Sequence, residues 1–155
     1  MSFKISGLPV APFAPLFGLP DAELNSRGIL RKTADVSPGF PCRVSLQDAE
    51  PGDTLLLLNY EHLSVASPYR SRYAIYVREN AREASLRTNE TPQVLRRRLL
   101  SLRAFDDAGM LRDADVIDGG DIERLIEKML SREEVSYLHV HNAKPGCFAA
   151  RVDRA

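Results

Sequence analysis

The sequence predicts an α+β fold: an antiparallel or mixed β-sheet built largely from hairpins, with two or three short helices. Three observations carry this. Tyr137 to Ala143 and Phe148 to Val152 are rich in β-branched and aromatic residues and flank Pro145-Gly146, a hairpin signature. Leucine fills positions 55, 56, 57 and 58, an apolar run suited to a central strand covered on both faces. Ile122, Leu125, Ile126, Met129 and Leu130 recur at helical spacing, one stripe of an amphipathic helix over 121–131.

The other elements follow from local signals. Phe3 to Ser6 suits a short strand. Pro9, Pro12, Pro15 and Pro20 punctuate a segment expected to form short helical turns. Pro20 opens a short helix, with Asp21 and Glu23 at its positive end and Gly28 just past it. Ile29 to Ala34 reads as a strand, and 35–41 as a loop. Cys42 to Gln47 alternates, so a strand is expected with Cys42, Val44 and Leu46 inward and Arg43, Ser45 and Gln47 outward. Strands follow over 54–60 and 73–77, then a polar loop over 80–90. Thr91-Pro92 marks a helix start with Thr91 as cap. Leu100 to Asp106 and Met110 to Ile117 form a second hairpin across Asp107-Ala108-Gly109, and Asp118 or Asp121 is expected to cap the long helix.

A chain of 155 residues is expected to fold as a single globular domain burying roughly 70% of its unfolded surface. Zero net charge gives no global field toward nucleic acid or an anionic membrane, so neither is an expected partner. The first residues lack the apolar core of a signal peptide, and no apolar run nears the ~20 residues of a membrane span. Two cysteines then imply reduced thiols and a cytoplasmic location.

Register decides what the last hairpin displays. A two-residue turn centred on Pro145-Gly146 places His139 and His141 over Val152 and Ala150. A three-residue loop, Lys144 to Gly146, instead stacks Leu138 and Val140 on Phe148, Ala150 and Val152. It leaves His139, His141, Cys147, Arg151 and Asp153 on the other face. One wholly apolar face gains about 25 cal/mol per Å² buried, and burial of unpaired imidazoles is costly, so the second register is expected.

That register suggests chemistry. Cys147 and His141 are the candidate catalytic pair, a thiol beside an imidazole with Arg151 on the same face. Cys42 shares its face with Val44 and Leu46 and reads as a structural thiol. Arg43, His62, Tyr69, Arg70 and His139 are candidate ligand-binding residues, because forked guanidiniums and a phenol suit a carboxylate or phosphate. His139 and His141 could share a metal ion, but no spacing fixes a third ligand among Cys147, Cys42, His62 or a carboxylate, so no metal is assigned. Arg96-Arg97-Arg98 reads as helix surface. The acidic run of Asp113, Asp115, Asp118 and Asp121 is a weak magnesium pattern, and Gly119-Gly120 carries no phosphate-loop motif. No cofactor is expected. The resulting expectation is a pocket for a small anionic ligand lined by Arg43, His62, Tyr69, His139, His141 and Cys147, binding or enzymatic. The alternative is a protein-interaction module without catalytic activity.

Four stretches carry a resemblance: 14–19 with 21–24, 39–46 with 48–52, 57–62 with 67–70, and 139–143 with 145–147. On these the chain resembles a bacterial family known only as a domain of unknown function, number 1203. The resemblance implies no activity and transfers no residue role. Members often read Gly-Pro-Ile-Phe-Val where this chain has Tyr73-Ala74-Ile75-Tyr76-Val77, so a pocket mouth shaped by that Gly-Pro would differ here.

Overall fold

Eight strands form two antiparallel sheets in the computed structural model, which describes residues 1–155. The larger sheet has the order β1-β8-β7-β5-β6, from β1 (Phe3–Ser6), β5 (Leu99–Phe105), β6 (Leu111–Asp118), β7 (Tyr137–Asn142) and β8 (Phe148–Arg154). The smaller has the order β2-β3-β4, from β2 (Leu30–Thr33), β3 (Thr54–Leu63) and β4 (Ser71–Arg78). Three short helices complete an α+β fold: α1 (Asp21–Ser26), α2 (Gln93–Arg96) and α3 (Ile122–Leu130). The four-leucine run lies in β3, the middle strand of the smaller sheet, as its apolar continuity requires.

The helix stripe explains how the larger sheet is covered. All five apolar residues of α3 are buried, and they pack with Leu100, Leu102, Leu138, Val140 and Val152 into one core. Each such side chain contributes about 1.5–3 kcal/mol relative to exposure. The opposite face of the same sheet carries Phe105, Tyr137, His139 and His141, and it meets Leu63 and His62 of β3. The aromatic and imidazole groups therefore lie between the two sheets.

The last hairpin keeps the expected three-residue-loop register along most of its length, with Leu138 opposite Val152 and Val140 opposite Ala150. A β-bulge then shifts it, so His141 faces Phe148 and Ala149 is the extra residue. The bulge moves the Phe148 ring off the Leu138 and Val140 face and onto the imidazoles. The histidines are also not turned outward: His139 is 3% exposed and His141 1%. What buries them is the second sheet, which the sequence does not announce as separate from the first.

Three local expectations are corrected. Residues 42–47 form a turn instead of a strand, because their backbone groups serve three elements at once. Leu8 N–H donates to the Arg43 carbonyl, Arg43 N–H to Tyr76, and Ala84 N–H to Val44. Cys42, Val44 and Leu46 are buried as expected, but so is Arg43. Thr91 does not cap α2; its hydroxyl donates to Glu123 at 2.8 Å, and Pro92 occupies the cap position. Asp118 caps the 3-10 turn (Gly119–Asp121) that precedes α3, accepting the Gly120 N–H at 2.9 Å, while Asp121 makes no side-chain cap bond.

The β6 edge of the larger sheet carries its own acceptors. Asp113 accepts the Ala114 N–H at 2.9 Å and Asp115 the Val116 N–H at 2.8 Å. Asp113 also pairs with Arg132 at 3.2 Å. Asp113 and Asp115 of the acidic run thus lie on an exposed strand edge, with their carboxylates engaged locally.

Candidate functional site

All three histidines of the chain meet between the sheets. β3 supplies His62, and β7 supplies His139 and His141, whose i, i+2 spacing places both on the inner face. Ring centroids stand 5.0 Å apart for His62–His141, 6.1 Å for His62–His139 and 6.3 Å for His139–His141. The Phe148 ring lies nearly parallel to His62 at 5.5 Å, inclined 14°, and meets His139 and His141 edge-on. The rings border a cavity of about 170 Å³, which Tyr69, Ser71, Arg103 and Phe105 also line.

Hydrogen bonding leaves this cavity incomplete. His141 Nδ1 lies 2.9 Å from the Gly146 carbonyl, which fixes its proton there and frees Nε2 to accept. Nδ1 of His62 and Nδ1 of His139 are buried without a partner. Arg103, directly across from His139 in the β5–β7 ladder, is half-buried and makes no ion pair. Burial pushes its guanidinium below the ordinary arginine value. Burial likewise pushes His139 and His141 down to about 3, with the Arg103 charge acting in the same direction on both. His62 is lowered by burial and then by Arg103. Near neutral pH the rings are uncharged, each with one donor and one acceptor.

Cys147 and Arg43 sit elsewhere. They line a second cavity of about 500 Å³, bounded also by Leu57, Tyr73, Tyr76, Asn142 and Lys144. Arg43 is 2% exposed. Its Nε donates to the Phe148 carbonyl at 2.7 Å, its Nη1 to Pro41 at 2.7 Å, and its Nη2 to Cys147 Sγ at 2.9 Å. Burial pushes this guanidinium down, and the Cys147 sulfur opposes that shift. Phe148 touches both groups of residues, its carbonyl held by Arg43 and its ring against the histidines.

The six residues expected to line one pocket are divided. His62, Tyr69, His139 and His141 come together, while Arg43 and Cys147 belong to the second cavity. Arg70 lines neither and pairs with Glu61 on the surface. Arg151 lies 4.0 Å above the Tyr137 ring and pairs with Asp153. Cys42 is a structural thiol: its sulfur accepts the N–H of Arg78 at 3.3 Å and of Ser45 at 3.5 Å. No three His, Cys, Asp or Glu side chains are arranged to hold a metal ion. No helix is long and apolar enough to cross a membrane.

A model of the family described as Protein of unknown function (DUF1203) matches residues 39–154. The chain belongs to this family. Both cavities of this DUF1203 member are built from residues inside the matched span. No curated protein and no solved structure matches the chain. Tyr73 and Ala74, which replace the Gly-Pro common in the resembled family, line the second cavity.

Two site residues escaped the sequence reading. Arg103 alternates with Leu102 and Ala104, so its strand face was available from the sequence. Its place opposite His139 depends on β5 pairing with β7, a contact across more than thirty residues. Asn142 reads as a strand end and carries no signal for the cavity it lines.

Proposed function

We propose that this protein binds a small anion, of the carboxylate or phosphate class, in the histidine cavity. The observation carrying this reading is Arg103, a half-buried cation without a counter-charge beside two imidazoles whose buried Nδ1 atoms lack partners. Buried cations and unbonded polar atoms are costly, and an anion with several oxygens relieves both at once. At about 30 Å³ per water, 170 Å³ corresponds to roughly six waters, room for acetate or phosphate. A general base works best with a pKa near the working pH, so rings held near 3 suit binding better than proton abstraction. Arg103 also disfavours a cation at this position.

Calorimetric titration with acetate and inorganic phosphate tests the reading. With His139 and His141 near 3, both rings stay neutral in this range, so acetate binds with the same affinity and no net proton uptake at pH 6.5 and at pH 8. Arg103→Gln weakens binding about tenfold or more, the loss of one charge-assisted contact. Unchanged affinity in that variant, or stoichiometric zinc binding with no response to either anion, defeats the reading.

A further inference from the structure

The cavity holding Arg43 and Cys147 is a separate site, and we propose that it takes an organic anion, a carboxylate or phosphate head on an apolar body. Three observations converge on the head. The guanidinium of Arg43 is buried, yet its partners are two carbonyls and a sulfur, with no carboxylate among them. Those bonds use three of its five N–H donors. Asn142 is 5% exposed and lines the cavity; its Nδ2 donates to Cys147 Sγ at 3.5 Å and keeps a second N–H to offer an anion. At the rim Lys144 is exposed and makes no ion pair. Leu57, Tyr73 and Tyr76 supply the walls for the body, and about 500 Å³ exceeds what a bare anion needs.

The shared chemistry is an anionic head, and the test separates its two sources. Full-length protein is titrated calorimetrically with sodium hexanoate and hexyl phosphate, with hexanol and hexylamine as uncharged and cationic controls. Iodoacetamide labelling of each cysteine is followed in parallel by peptide mass spectrometry. The anions bind about tenfold or more tightly than hexanol, as a charge-assisted contact requires, and hexylamine gives no heat. Both anions slow labelling of Cys147. The tighter of the two identifies the head group. Ala74→Trp, which fills the cavity from an exposed wall position, abolishes binding, and Lys144→Glu weakens it several-fold. These two variants carry the test if Arg43→Gln fails to fold. Arg103→Gln leaves hexanoate binding intact, which keeps this site distinct from the histidine cavity. Hexanol binding as tightly as hexanoate overturns the proposal, as does hexanoate binding that survives Ala74→Trp or is lost in Arg103→Gln.

Discussion

Acidification from pH 7 to about 4 unfolds this protein, and the unfolded chain takes up about two more protons than the folded one. The cause is the pair His139 and His141, held near 3 chiefly by burial against an ordinary value of 6.5. Above 6.5 both forms of the chain carry neutral rings, and the contribution to stability is fully present. Between 6.5 and 3 only the unfolded chain protonates them, so stability falls as the pH falls. By about pH 4 the loss is roughly 3 kcal/mol per ring, and two rings together rival the 5–15 kcal/mol that holds a domain folded. Urea melts at successive pH values measure this directly. The double variant His139→Leu/His141→Leu gives a flatter profile over the same window. Wild-type stability that stays level from pH 7 to 5 contradicts the account.

Gly119→Ala costs about 3 kcal/mol or more, the upper range for forcing atoms into a filled interior. A Cβ at this position would stand 1.9 Å from the Leu95 carbonyl oxygen and 2.8 Å from that of Arg98. Both are backbone atoms of the α2 turn, and Gly119 N–H already donates to the Arg98 carbonyl at 2.8 Å. Neither side can yield without breaking the junction that sets α3 on the sheet. Gly120→Ala is the control. Its nearest neighbour is the Asp118 side chain at 3.2 Å, which can move, and the expected cost stays below about 1 kcal/mol. Denaturant midpoints of the two variants separate by several-fold in free energy; equal midpoints would mean the close approach is not structural.

These two sites show where sequence reasoning succeeds and where it stops. The α3 stripe, the four-leucine strand and both long hairpins are legible because periodicity and turn chemistry are local. Cys42 to Leu46 mislead because alternation records burial, and a turn bonded to three partners buries the same residues as a strand. The site was half legible for a related reason. Composition and spacing single out His139, His141 and Cys147, but the Ala149 bulge decides which side Phe148 and the thiol occupy. The choice of an outward imidazole face assumed that unpaired histidines avoid burial. The folded chain meets that rule only in part: the rings lie uncharged beneath a second sheet and His141 is paired with Gly146, while Nδ1 of His139 is left without a partner. Arg43 was expected outside because guanidiniums are rarely buried, and only three-dimensional packing supplies the Phe148 carbonyl and the Cys147 sulfur that hold it.

The two aspartates that clasp the amide hydrogens following them on β6 bear on self-association. An open strand margin is a template on which another chain can add, and proteins blunt it with charge or with competing bonds. Here one device does both: the carboxylates occupy donors that an incoming strand would need and repel a second copy presenting the same margin. The run that suggested magnesium from composition alone is better understood as insulation against fibre growth.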